Sequence, residues 1–146
     1  MAALGSLILT LEQLQRIERA ARAAMPREAC GVLVGQYHSG DWRVAYDEAS
    51  KNIAPVDQPD RFEIDPAVLL RVQKQLRGSA HSMIGVYHSH PNGVAEPSAI
   101  DLAQSWQTGM IWLISAVKPD TVETRGFLRQ ENGFVAIPLN IDGHTQ

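Results

Sequence analysis

The sequence predicts an α/β (α+β) domain: a mixed, largely antiparallel sheet with about three helices packed on it. Three observations lead there. Short runs rich in strand formers recur along the whole chain, many are joined by hairpin-type turns, and three segments carry helix start signals with apolar residues at helical spacing. The 146 residues contain no repeat, linker or low-complexity tract, so residues 1–146 are expected to form a single domain.

In chain order, Ser6–Leu9 is a short strand, and Thr10 caps a helix from Leu11 to about Met25 whose Leu11, Leu14, Ile17, Ala21 and Ala24 line one stripe. Pro26 stops it. Glu28–Gln36 and Trp42–Ala49 read as a hairpin around Tyr-His-Ser-Gly-Asp, followed by a polar surface loop, Ser50–Asp60, with two prolines. After Phe62–Ile64 a second helix spans about Asp65 to Leu76, and Gly78 is well placed to end it. The strand Met83-Ile84-Gly85-Val86-Tyr87 then leads into His88, and a third helix starts at Ser98 and runs to about Gln107. Strands Met110–Val117, Thr121–Gln130 and Gly133–Leu139 complete the chain, with Lys-Pro-Asp and Glu-Asn-Gly at the turns.

Composition narrows the function classes. A hydrophobic fraction of 45% with 20% charged residues is ordinary globular usage, and a net charge of -3 leaves no electrostatic footprint for nucleic acid or anionic membranes. The first ten residues lack the basic region and sustained apolar core of a signal peptide, and no run reaches membrane-spanning length, so a cytoplasmic protein is expected. One cysteine cannot form an internal disulfide, which agrees with a reducing compartment.

The chemistry concentrates in residues 88–101, His-Ser-His-Pro-Asn-Gly-Val-Ala-Glu-Pro-Ser-Ala-Ile-Asp. On an extended chain His88 and His90 share a face and Ser89 points the other way; on a helix the same spacing would splay the imidazoles apart. Pro91 ends the ladder because it has no N–H to donate. Ser98 near the N-cap sets Asp101 one turn in, side by side with it. Two imidazoles and one carboxylate are the three protein ligands of a catalytic zinc site whose fourth position stays open to water. A single cysteine excludes the usual cysteine-rich structural sites. Taken alone each piece is ordinary: Ser98-x-x-Asp101 is close to a capping box, and a His-x-His at a strand end is most often solvated. Their convergence across one loop is what points to a metal. A zinc hydrolase also needs a carboxylate to take a proton, and spacing leaves Glu28, Glu48, Glu63, Asp65 and Glu96 all open. Ser98 fits a donor to the oxyanion formed on carbonyl attack. His38, His81 and His144 sit in polar or terminal contexts, and Cys30 reads as a small buried apolar residue.

His88-Ser89-His90-Pro91 with Ser98-Ala99-Ile100-Asp101 resembles the signature of the JAMM, or MPN-plus, metalloproteases. Pro26-Arg27-Glu28-Ala29-Cys30-Gly31-Val32-Leu33-Val34-Gly35 is similar to that family's glutamate-bearing strand, and Asp60-Arg61-Phe62-Glu63-Ile64-Asp65-Pro66 to the segment leading into its second helix. The resemblance covers nearly the whole chain and implies a JAMM/MPN-like fold of cytidine deaminase-like architecture. It selects Glu28 as general base and implies one zinc per chain on His88, His90 and Asp101, with Ser98 as oxyanion donor. The absence of long insertions is similar to the small prokaryotic branch. That implies a zinc (iso)peptidase cutting after the C-terminal Gly-Gly of a ubiquitin-like sulfur-carrier protein, in cysteine, thiamine, cofactor or siderophore synthesis. The carrier's tail would lie in extended form beside a sheet edge near the zinc, and an adenylating enzyme of the ubiquitin-activating type would be a further partner. Two other readings stay open: a zinc-binding interaction module without proteolysis, and another small zinc amide hydrolase. The latter fits poorly, because the chain is short for a barrel of ~200 residues and has no Pro-Cys-x-x-Cys.

Overall fold

The computed structural model describes residues 4–105 and 107–142. Its elements are β1 (Leu7–Thr10), α1 (Leu11–Ala24), β2 (Cys30–His38), β3 (Asp41–Ser50), α2 (Pro66–Leu76), β4 (Ser82–His90), α3 (Ala99–Gln104), β5 (Ile111–Val117), β6 (Val122–Gln130), β7 (Gly133–Ile137) and β8 (Leu139–Asp142). They form one sheet in the order β7-β6-β5-β4-β2-β3-β1-β8. Pairs β2/β3, β2/β4, β5/β6 and β6/β7 are antiparallel, and β1/β3, β1/β8 and β4/β5 are parallel. The α+β class with a mixed, mostly antiparallel sheet and three helices is therefore the observed one.

Each helix begins where its local chemistry dictates. Thr10 Oγ1 accepts from Gln13 N at 3.0 Å while Gln13 Oε1 accepts from Thr10 N at 2.8 Å, a complete capping box. Asp65 caps α2 by accepting from Ala67 N at 2.9 Å, with Pro66 in the first turn, where a missing N–H costs nothing. Ile17 and Ala21 of the expected α1 stripe are buried, whereas Leu11, Leu14 and Ala24 are only half-buried. Gln13 is buried too, because its amide reaches the Val44 and Ala45 carbonyls.

The central strands are covered on both faces. Ile17 of α1 packs into one core with Leu33, Tyr87 and Leu113, and Val68 and Val72 of α2 pack with Val32 and Val34 on the other side of β2. A third cluster, Cys30, Phe62, Trp112, Ile114 and Phe127, underlies the end of β4 that carries the histidines.

Two expectations need correction. Gly133–Leu139 is not one strand: Pro138, with no N–H for a ladder, divides it into β7, which pairs with β6, and β8, which pairs with β1. Consecutive strands thus form the two edges of the sheet, which curls so that Pro138 O accepts from Leu7 N at 2.9 Å. The third helix stops at Gln104, short of Gln107, where Arg129 Nε donates to the Ser105 carbonyl and hydroxyl at 2.6 and 2.8 Å.

Candidate metal centre

At the C-terminal end of β4 His88 and His90 project together, their Nε2 atoms 3.2 Å apart, while the Ser89 hydroxyl between them turns to Ala29 N. Ser89 N donates to the Ala29 carbonyl at 3.0 Å and Ser89 Oγ accepts from Ala29 N at 2.7 Å. This reciprocal pair extends the β2/β4 ladder, in which Cys30 faces His88, and so brings Glu28 to the histidine end. Asp101 arrives from the first turn of α3. Its Oδ2 accepts from Ser98 N at 2.9 Å while Ser98 Oγ accepts from Asp101 N at 3.0 Å. The capping box therefore forms, and it also orients the carboxylate.

One ligand atom each from Glu28, His88, His90 and Asp101 lies within 4.8 Å of the others, and all four residues are buried. The two imidazole Nε2 atoms are 3.2 Å apart, and Asp101 Oδ2 is 3.3 Å from His88 Nε2 and 3.0 Å from His90 Nε2. His90 Nδ1 sits 2.7 Å from the Val94 carbonyl, which only accepts, so Nδ1 carries the proton and a neutral His90 turns the Nε2 lone pair toward the Asp101 carboxylate. Acceptor then faces acceptor in a buried space. Such an arrangement is satisfied by a cation at the focus, whether proton or metal ion. Glu28 Oε1 and Asp101 Oδ1 are buried with no hydrogen-bond partner among the described residues, leaving lone pairs that a divalent ion and its water would use. The residues present thus fit zinc with an open position.

Electrostatics follow from this packing. Burial pushes the Glu28 carboxyl up to about 8; His90 opposes that rise, while Asp101 and Asp60 add to it. Burial lowers the His88 pKa despite Asp101. For His90 burial works in the same direction, but the Asp101 carboxylate and Val94 carbonyl outweigh it and raise the pKa. Asp101, although buried, is held well below the usual carboxylate range by both histidines and by Ser98 N.

All five residues singled out in the sequence come together: Ser98 lines one cleft of about 560 Å³ with Glu28 and His90. Of the other carboxylates left open as a base, Glu48 pairs with Arg71 at 2.9 Å, Asp65 caps α2, and Glu63 lines a separate groove. Glu96 lines the cleft but is exposed and not part of the cluster. His38 and His81 are exposed, and His144 lies outside the described residues. Sequence reasoning missed three supporting side chains. Phe62 stacks on His88 with centroids 4.4 Å apart, and Trp112 meets the same ring edge-on at 5.3 Å. Asn52 bonds to the backbone of Glu28 and of Arg61 and Glu63, and its one sequence signal was an Asn able to form an Asx-turn just after a strand.

A family model described as prokaryotic homologs of the JAB domain matches residues 10–129. The chain belongs to this family. It is similar to Desampylase of Haloferax volcanii, 29% identical over 89 residues that make up 61% of this chain and 62% of that protein. It is also similar to the Probable TtuB-protein conjugate cleaving protease of Thermus thermophilus, 36% identical over 73 residues, 50% of this chain and 46% of that one. The chain thus spans 62% and 46% of the lengths of these two relatives. A solution structure of a Desulfitobacterium hafniense protein superposes with a TM-score of 0.81 at 29% identity, covering 94% of this chain and 97% of that one. One from Salinibacter ruber gives 0.68 at 26% identity, with 94% of each chain covered.

JAB proteins are typically zinc-dependent, and the four-residue cluster here is of a kind that could hold a metal ion. The topology also revises one expectation about this JAB domain. β4 lies in the middle of the sheet, with β7 and β8 at its edges, so among the described residues the histidines are not carried by an edge strand. A free backbone edge beside the site belongs to Phe62, whose ring stacks on His88, and Ile64. On one side of this segment Arg61 O, Glu63 N, Glu63 O and Asp65 N bond to residues 50–53, whereas the peptide groups of Phe62 and Ile64 have no partner among the described residues. That side borders an apolar groove of about 520 Å³ lined by Leu69, Met83, Val86, Met110 and Trp112. No helix among the described residues is long and apolar enough to cross a membrane.

Proposed function

We propose that residues 1–146 form a single cytoplasmic domain that cleaves, with one zinc, after the terminal Gly-Gly of a ubiquitin-like sulfur-carrier protein. The observation that carries this reading is the buried convergence of Glu28, His88, His90 and Asp101 with the His90 tautomer set by Val94. His88, His90 and Asp101 would hold the zinc, which supplies Lewis acidity toward the scissile carbonyl and lowers the pKa of water from 15.7 toward ~7.

The chain's own groups do the rest. Glu28, buried in the cluster with an unpartnered Oε1, takes the proton from the attacking water and returns it to the departing amine. The Ser98 hydroxyl accepts from Asp101 N with a lone pair, so its own proton is free to be donated to the oxygen on which charge develops. Phe62 stacks on the His88 ring, Trp112 meets the edges of both, and together they keep bulk water from that side. The carrier's tail pairs with the free peptide groups of Phe62 and Ile64 in the manner of an added strand, which brings its two terminal glycines to the site. The similarity to a protein named as cleaving protein conjugates supports a substrate of this class. An adenylating enzyme that activates the same carrier is the proposed further partner.

The test is to incubate the zinc-loaded protein with diglycine-ended carrier fusions and weigh the products. Cleavage directly after the second glycine is expected, and Glu28→Gln is expected to keep about one zinc per chain yet lose turnover. Wild-type turnover in Glu28→Gln overturns the role of Glu28 as the base, and no cleavage of any diglycine fusion by the zinc-loaded wild type overturns the hydrolase reading in favour of an interaction module.

A further inference from the structure

Asn52 makes every hydrogen bond its side chain allows. Its Nδ2 donates to the Glu28 carbonyl and the Arg61 carbonyl, both at 3.1 Å, and its Oδ1 accepts from Ala54 N and Glu63 N, both at 3.0 Å. Arg27, the neighbour of Glu28, closes the clasp from the other direction, its guanidinium donating to the Asn52 carbonyl at 3.2 Å and the Ala54 carbonyl at 2.6 Å. One amide therefore joins three things: the backbone of Glu28, the turn at residues 52–54, and the Arg61–Glu63 strip whose far side is the free edge at Phe62 and Ile64.

Glu28 precedes β2 and is outside its ladder. Toward β4 it is held through Ala29 and Ser89; toward the strip its backbone is held by Asn52 alone among the described residues. The strip is likewise not part of a regular strand, having a single isolated bridge from Asn52 to Ile64. We infer that Asn52 is a positioning residue that sets Glu28 and the Arg61–Glu63 wall at a fixed separation, so that base and substrate edge are aligned as one unit. It touches neither substrate nor metal. The inference rests on the hydrolase reading above and adds to it the residue that couples proton transfer to substrate alignment.

Ser50 supplies the internal comparison. Its Oγ accepts from Asp65 N at 2.9 Å and so ties the other end of the same wall, with no bond to the Glu28 backbone. If Asn52 couples the two, removing each residue changes different kinetic constants. Asn52→Ala should lower kcat by about 10–100-fold, since misplacing a catalytic group by about 1 Å costs up to about 100-fold, and should also raise KM several-fold. Ser50→Ala should raise KM with kcat within about twofold. Zinc content should stay at the wild-type level in both. Asn52→Asp keeps the acceptor half and loses the donors to Glu28 and Arg61; it guards against misfolding of the alanine variant and should still lower kcat.

The measurement is steady-state kinetics on a diglycine fusion, with zinc content and thermal unfolding on the same samples. A merely structural Asn52 would lower stability while folded variants kept wild-type kcat and KM, and that result overturns the inference. So does a kcat loss in Ser50→Ala equal to that in Asn52→Ala. Absence of turnover in the wild type would instead strike the hydrolase reading.

Discussion

Replacing Ser98 by glycine separates its two roles. As an N-cap, Ser98 Oγ accepts the Asp101 N–H at 3.0 Å, and exchange of serine for glycine at such a position costs only a few tenths of a kcal/mol, against about 1 kcal/mol for alanine. The bond that orients the carboxylate, Ser98 N to Asp101 Oδ2 at 2.9 Å, is donated by the backbone of residue 98 and so survives in both variants. Metal binding should therefore persist. As an oxyanion donor the hydroxyl is worth about 100–1000-fold in turnover, or about 2.7–4 kcal/mol at about 1.36 kcal/mol per decade. Ser98→Gly should thus unfold within about 2 °C of wild type, bind zinc equally, and turn over a diglycine fusion about 100–1000-fold more slowly. Ser98→Ala should lose about 3 °C in Tm with the same kinetic defect, and Ser98→Thr should keep most of the rate. Initial rates, zinc content and calorimetry on one set of samples check all three. Turnover of Ser98→Gly within threefold of wild type, or a loss matched by lost zinc, would refute the donor role.

Two further outcomes follow from the burial of the centre. Glu28 is raised from 4.5 to about 8, so in chelated protein its ionisation opposes folding, and stability from this group is lost as pH climbs through that window. Metal-free Glu28→Gln should match wild type near pH 4 and exceed it by on the order of 2 kcal/mol at pH 8; parallel melting curves at both pH values would contradict this. Phe62→Leu keeps apolar volume but removes the ring stacked on His88 at 4.4 Å, and should weaken zinc about 10-fold in competition with a chelating dye, with unchanged affinity as the refuting result.

Much of the fold and the candidate centre was legible because it depends on near neighbours in sequence. The phase of His88 and His90, the cap at Ser98 and the helix starts at Thr10 and Asp65 each involve residues within about one helical turn or two strand positions. The split at Pro138 was hidden because Gly133–Leu139 has the period of one strand, and only the partners, β6 for one half and β1 for the other, distinguish two. Asn52 was passed over because a polar residue in a proline-bearing loop is ordinarily solvated, whereas here its partners lie 24 residues earlier and 9 and 11 residues later in the chain.

What the chain determined by itself was the chemistry available: two imidazoles on one strand face, a carboxylate presented by a capped helix, and too few thiols for a closed structural site. Which acid joins them was decided by tertiary structure. Glu28 lies 60 residues before His88, and it reaches the cluster only because Ala29 and Ser89 exchange two hydrogen bonds at the end of the β2/β4 ladder. Register between distant strands depends on the packing of the whole sheet, so it cannot be read from the few residues around either partner.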